Sequence, residues 1–127
     1  MSPTFLSLAE LLEIHRDQLE RYGGEPGVRD MNTLRSALAM PAAGVYDRYL
    51  HDDIREMAAA YLFHIVQDHP FIDGNKRTGA VAALVFLALN GVDVRVDEDA
   101  LEEMVRAVAE GQLRKGDVAD FFRHGSS

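Results

Sequence analysis

The chain has 127 residues, the size of one domain, and its 47% hydrophobic and 27% charged residues are typical of a soluble globular protein. Lys and Arg number 13 against 21 Asp and Glu, so the formal net charge is −8, which argues against a broad electrostatic surface for DNA or RNA. The absence of cysteine excludes disulfides, thiolate metal sites and a cysteine nucleophile, and it fits a reducing compartment.

Helical periodicity dominates the first half of the chain. Ser7 and Glu10 have the spacing of a capping box, and leucines on one face then predict a first helix that stops at Gly23. Asp30 can cap a second helix, which Pro41 ends. Residues 41–53 are expected to form a surface loop.

The third and fourth predicted helices flank a short loop. The third is capped by Asp52 or Asp53 and is broken at His69, which precedes a proline. Asn75 can cap the fourth, from Lys76 to Leu89, whose residues are apolar nearly all round. Its apolar run is about half the length that crosses a bilayer, so we expect a central buried helix instead.

The remaining residues predict two further helices. Valines at 92, 94 and 96 alternate with other residues, which permits one short strand or an extended connector. Asp99 and Glu102 again have capping-box spacing, the fifth helix stops at Gly111, and a last helix starts at Asp117. The chain is therefore predicted to be all-α: one domain over residues 1–127, a compact bundle of about six helices around the fourth. The N-terminus does not resemble a secretory signal, so we expect a cytoplasmic protein.

The loop HPFIDGNKRTG, residues 69–79, concentrates chemically useful groups. Gly74 permits a close backbone approach, and the amides of Asn75, Lys76 and Arg77 begin a helix, where the dipole favours an anion. Asp73 can hold Mg²⁺ together with phosphate oxygens, and a histidine in this position can take a proton from a hydroxyl near neutral pH.

These are the parts of a phosphoryl or nucleotidyl transfer site. Neither a GxxxxGK[ST] loop nor a GxGxxG turn is present, so a nucleotide would have to be held in another way. Two plainer interpretations stay open: an ordinary turn with solvated cations, and a binding module that holds a nucleotide or an acidic peptide without chemistry.

The same loop resembles the signature of the Fic/Doc superfamily, His-x-Phe-x-(Asp/Glu)-Gly-Asn-x-Arg, at every defined position. RYGGEPG at residues 21–27 and FLALNG at 86–91 are similar to segments of the Doc branch, the death-on-curing toxins. The resemblance implies His69 as general base, Asp73 as the Mg²⁺ ligand, Gly74 and Asn75 as phosphate-loop contacts, and Lys76 and Arg77 as phosphate neutralisers.

Two positions distinguish the branches of the superfamily. Members that transfer AMP usually have Gly at the position of Lys76 and a second Arg at the position of Ala80, so both residues resemble Doc, whereas Pro70 and Gly74 follow the general Fic pattern. The resemblance to Doc implies an ATP- and Mg²⁺-dependent kinase that moves the γ-phosphate to a protein hydroxyl. The implied target is elongation factor Tu, with loss of translation; AMP transfer is the alternative.

The Doc branch also implies a partner, an antitoxin whose C-terminal segment folds onto the toxin. The internal inhibitory helix of some Fic proteins, (Ser/Thr)-x-x-x-Glu-(Gly/Asn), has no match in these 127 residues. No contact with nucleic acid or membrane is expected.

For residues outside the signature, structural or solvent-exposed roles are the main expectation. His15 and His64 are expected to be packed structural histidines, and His51 and His124 to be exposed. The acidic run at 97–103 is interpreted as a solvated helix start, although a basic partner would also suit it. Tyr46, Arg48 and Tyr49 either contact the target or pin their loop to the core.

Overall fold

The computed structural model describes residues 2–45, 48–51 and 53–125. Its elements in chain order are α1 (Leu8–Tyr22), α2 (Met31–Ala39), a 3-10 turn (Met40–Ala42), β1 (Gly44–Val45), β2 (Arg48–Tyr49), α3 (Ile54–Asp68), α4 (Asn75–Leu89), α5 (Glu98–Ala109) and α6 (Lys115–His124). The predicted all-α fold with six helices is confirmed in these ranges. The interpretation of residues 1–127 as a single domain stays a prediction.

Three predicted helix starts are confirmed by their capping bonds. Ser7 and Glu10 form a reciprocal capping box at the start of α1. The side chain of Asp30 accepts from the N–H of Thr33, and Asp53 caps α3 in the same way. Asp52, the other candidate for the α3 cap, lies outside the described residues.

The predicted starts of the last two helices are displaced by two residues. Asp97, not Asp99, caps α5, because Asp97 has an extended backbone and accepts from the N–H of Ala100. Asp117 lies inside the first turn of α6, where its carboxylate accepts from the N–H of Arg114 at 2.8 Å. A carboxylate in the first turn satisfies a free N–H as a cap does, so composition alone does not separate the two positions.

The core is built around α3 and α4, which cross closely. α4 is buried as predicted, and α3 is equally central because it packs against α2, α4, α5 and α6. A Cβ at Gly79 would lie 2.9 Å from Val66 Cγ2 and 3.2 Å from the carbonyl oxygen of Leu62. Glycine at this point therefore sets how closely α4 approaches α3.

The two connecting segments differ from simple loops. Residues 41–53, predicted to be a surface loop, contain the 3-10 turn and the β1–β2 hairpin, with Gly44 opposite Tyr49. The expectation that His51 is exposed is wrong: it is 7% exposed, because the segment folds back until His51 Nε2 lies 3.2 Å from Lys115 Nζ. Residues 92–96 connect α4 to α5 and contain no strand beyond a single β-bridge position at Val94.

None of the helices in the described ranges is both long enough and apolar enough to cross a bilayer.

Candidate functional site

Residues 69–74, here called the signature loop, join α3 to α4. His69 ends α3 in the left-handed conformation, with φ 49° and ψ 58°, and among the described residues it is the one non-glycine position with positive φ. Proline follows it, which further restricts its backbone. Such a conformation costs on the order of 1–3 kcal/mol and persists only where the surroundings impose it.

Residues 24–30, here called the backing segment, impose part of that geometry. Val28 and Phe71 form an antiparallel bridge, and the N–H of Ile72 donates to the carbonyl of Gly27 at 3.1 Å. The N–H of Arg29 donates to the carbonyl of Pro70 at 2.8 Å. Backbone hydrogen bonds to the backing segment therefore hold much of the signature loop, in which Pro70 and Phe71 are buried and Ile72 and Asp73 are exposed.

Asp73 is held in place by backbone amides. Its carboxylate accepts from the N–H of Glu25 at 3.1 Å and from that of Gly74 at 2.8 Å. These two bonds, first that of Glu25, lower the pKa of Asp73. The carboxylate is therefore ionised at neutral pH, and each oxygen keeps a lone pair for a further partner.

Gly74 begins α4 in a conformation that favours glycine, with φ 77°. A Cβ here would lie 3.2 Å from Leu19 Cδ2 and 3.7 Å from the ring of His15. No described side chain caps the helix at this point. The first-turn amides are thus available to an anionic ligand.

The prediction that Asn75 caps α4 is wrong. Asn75 is the first residue of the helix, and its buried side chain turns back to Phe71: Oδ1 accepts from the N–H at 3.0 Å and Nδ2 donates to the carbonyl at 2.9 Å. Both polar groups of a buried residue are satisfied in this way. Asn75 therefore fixes the shape of the signature loop, while its backbone amide is one of the first-turn N–H groups of α4.

The two predicted cations are both exposed at the start of α4. Arg77 lies over the ring of Tyr22, with its guanidinium carbon 4.6 Å from the ring centroid. This cation–π contact orients Arg77 at the end of α1. Lys76 and Arg77 oppose the positive end of the helix dipole, which an anion bound between them would offset.

A cavity of about 820 Å³ adjoins the signature loop and brings the predicted site residues together. This volume is in the range of small-molecule sites. Its lining includes the six predicted site residues His69, Asp73, Gly74, Asn75, Lys76 and Arg77, with Ala80, Val81 and Leu84 of α4 and Leu101 and Val105 of α5. Glu98 and Glu102 also line it, so part of the acidic run faces the cavity as well as solvent.

A resident metal cage is not found: in the described residues, no three His, Cys, Asp or Glu side chains are grouped so that they could hold an ion. Asp73 is the carboxylate of the signature loop that lines the cavity and could hold an ion. One carboxylate fits Mg²⁺, which commonly binds through one or two carboxylates with phosphate oxygens and water.

Sequence reasoning missed what two residues do for the site. His15, predicted to be a packed structural histidine, is buried, stacks on Phe71 at 3.8 Å between ring centroids, and donates from Nε2 to the carbonyl of Asp73 at 2.8 Å. The Arg29 side chain contacts the end of α3. Local spacing carried no signal for either role, because the partner of His15 is 58 residues away and those of Arg29 are 39 and 40 residues away.

The aromatic loop residues are only partly described. Tyr49 is exposed and packs edge-on against Phe5 at 5.7 Å, which supports a role in pinning the hairpin to the core. Tyr46 lies outside the described residues, and a contact of Arg48 or Tyr49 with a target stays a prediction.

Comparison with known protein sequences identifies the family of the chain. A sequence model of the Fic/DOC family matches residues 5–87. The chain is 35% identical over 119 residues to "Protein kinase doc" of Escherichia phage P1, covering 93% of this chain and 92% of that protein. It is 40% identical over 90 residues to "Toxin Doc" of Mycolicibacterium smegmatis, covering 69% of each. The matched region contains α1, the backing segment, the signature loop and most of α4, and with this agreement the chain belongs to the Fic/DOC family.

Proposed function

We propose that this protein is an ATP-dependent phosphotransferase of the Fic/Doc type, which transfers the γ-phosphate of ATP to a hydroxyl of a protein. One observation carries the proposal: an uncapped helix N-terminus with two cations, an ionised Asp73 and His69 all line one cavity of about 820 Å³. A polyanionic ligand of nucleotide size would satisfy the free amides and offset the two cations.

His69 acts in this proposal as the general base. Its imidazole takes the proton of the target hydroxyl, whose oxygen forms a bond to the γ-phosphorus while the bond from that phosphorus to the β,γ-bridging oxygen breaks. ADP leaves with the electron pair of that bond. Lys76, Arg77 and the first-turn amides of α4 stabilise the charge on the phosphates.

Mg²⁺ would be held by Asp73, whose ionised carboxylate retains free lone pairs. When bound, the ion would neutralise negative charge on the phosphates of the nucleotide. The bonds from the amides of Glu25 and Gly74 keep this carboxylate oriented without any ligand, so the protein organises the site before binding.

The residue at position 80 favours γ-phosphate transfer over AMP transfer. Ala80 lines the cavity one turn beyond the cations and presents a methyl group where AMP-transferring relatives usually have a second Arg. Lys76 and Arg77 are both in the first turn of α4, whereas Arg106, which also lines the cavity, lies on α5 and is paired with Glu102 at 3.6 Å, so we expect phosphate binding to be concentrated at the first turn. A relative carrying the name protein kinase supports the same assignment.

The biological role that suits this activity is that of a toxin acting in the cytoplasm. One relative is named as a toxin. We propose elongation factor Tu as the modified protein, with inhibition of translation as the result, and a cognate antitoxin as the controlling partner.

The test is a transfer assay with ATP radiolabelled at either the α- or the γ-position, purified elongation factor Tu and Mg²⁺. The proposal expects label on the target from γ-labelled ATP only, abolished by a chelator and by His69→Ala. Mass spectrometry of a treated cell extract identifies the site and reveals a different target if elongation factor Tu is not modified.

Lys76→Gly separates the two chemistries. It removes a proposed phosphate neutraliser while position 80 still lacks a cation, so γ-phosphate transfer should fall without efficient gain of AMP transfer. Label from α-labelled ATP on the target of the wild-type protein would reassign it to AMP transfer.

A further inference from the structure

The unusual backbone of His69 has one principal side-chain support, Arg29 of the backing segment. The Arg29 guanidinium donates through Nη2 to the carbonyl of Asp68 at 2.8 Å and through Nε to the carbonyl of His69. The N–H of the same residue donates to the carbonyl of Pro70. Three consecutive carbonyls, at the point where the chain turns out of α3, are thus bound by one residue.

The end of α3 needs such a partner from elsewhere. The last four carbonyls of a helix have no partner within the helix, and the dipole places negative charge there. The last turn of α3 has no basic residue of its own, so the cation comes from 39 residues earlier in the chain. The planar fork of arginine suits two neighbouring carbonyls, whereas the single ammonium of lysine does not provide that geometry.

We infer that Arg29 is a positioning residue, which holds His69 in the left-handed conformation and thereby directs its imidazole into the cavity. Arg29 acts on the reaction only through His69 and does not line the cavity itself. This inference rests on the proposed role of His69 as the base for its kinetic test, but its structural part can be measured without any activity.

The variants are chosen so that the fold survives. Arg29→Ala removes the guanidinium and leaves the backbone bond to Pro70 and the Val28–Phe71 bridge in place. Arg29→Lys keeps the charge but not the fork. Arg35→Ala is the matched control, since Arg35 is an exposed arginine on α2 that does not line the cavity.

The kinetic readout is the division of the effect between kcat and KM for ATP. Because the phosphate contacts lie on α4, we expect KM for ATP to change less than about twofold and kcat to fall about 10- to 100-fold for Arg29→Ala. Arg29→Lys should fall between Arg29→Ala and the wild type, and Arg35→Ala should match the wild type. A loss of kcat that disappears once rates are corrected for the folded fraction would overturn the inference.

The structural readout is the Cα and Cβ NMR chemical shifts of His69, which report positive φ. In Arg29→Ala, and less in Arg29→Lys, these shifts should move toward ordinary helix-end values, while those of residues in α1 stay unchanged. Unchanged His69 shifts in both variants would overturn the inference. If the wild type transfers no label from either ATP, the proposed function fails, and the shifts alone decide whether Arg29 positions His69.

Discussion

Asn75→Ala tests whether this side chain fixes the signature loop rather than binding a ligand. The substitution removes the partners of the N–H and the carbonyl of Phe71, a residue that is 1% exposed. An unsatisfied buried polar group costs about 1–3 kcal/mol, so we expect a loss of about 2–4 kcal/mol in the free energy of unfolding. For 127 residues the unfolding entropy is about 0.27 kcal/mol/K, and Tm should fall by about 7–15 °C.

Thermal unfolding followed by circular dichroism measures this loss. Asn32→Ala, an exposed asparagine on α2, is the control and should stay within about 2 °C of the wild type. Asn75→Asp should also destabilise the protein at neutral pH, because a carboxylate cannot donate to the Phe71 carbonyl, and should recover as acid protonates it. A decrease in Tm of less than about 2 °C for Asn75→Ala would show that the side chain does not fix the loop.

The other variants address the base, the carboxylate and the helix crossing. His69→Ala should lower the transfer rate by at least about 100-fold and leave ATP affinity within about twofold; near wild-type rates would exclude the base role. Because the pKa of Asp73 lies below its ordinary value of 3.8 in the folded protein, its stabilising contribution is complete above that value and is lost as the pH falls through the lower native pKa. Urea midpoints of the wild type and Asp73→Asn should therefore differ at pH 6 to 7 and converge in acid, and a constant difference would contradict this assignment. Gly79→Ala should lower the free energy of unfolding by about 1–3 kcal/mol in urea titrations, because the new Cβ would lie 2.9 Å from a methyl of Val66; an unchanged midpoint would show that the helices can separate without cost.

Local sequence patterns predicted the helices and their ends well where the signal is itself local. The capping box of Ser7 and Glu10 and the cap at Asp30 each act within four residues, so the chain near them contains all the information. The prediction that Asn75 caps α4 was wrong because its side chain accepts a hydrogen bond from the N–H of Phe71 instead. That contact depends on the tertiary shape of the loop.

The sequence predicted which residues form the candidate site, but not the contacts that hold them in place. The six predicted site residues lie within nine consecutive positions, 69–77, so they could be named from spacing and from family resemblance. The contributions of His15 and Arg29 reach the loop from 58 and 40 residues away, and no periodicity or spacing rule reports such contacts. The burial of His51 escaped prediction for the same reason, because its neighbour Lys115 is 64 residues away.

The long chain separation between the backing segment and the signature loop has a consequence for the order of folding. Their hydrogen bonds join residues 40 to 48 positions apart, whereas each helix forms from bonds between near neighbours. Closing such a loop costs entropy before its contacts form, so we expect the site to assemble late, after the α3–α4 pair has docked. Substitutions in the backing segment should then accelerate unfolding more than they slow folding. A newly synthesised chain would accordingly form its helices before the residues of the candidate site reach their final arrangement.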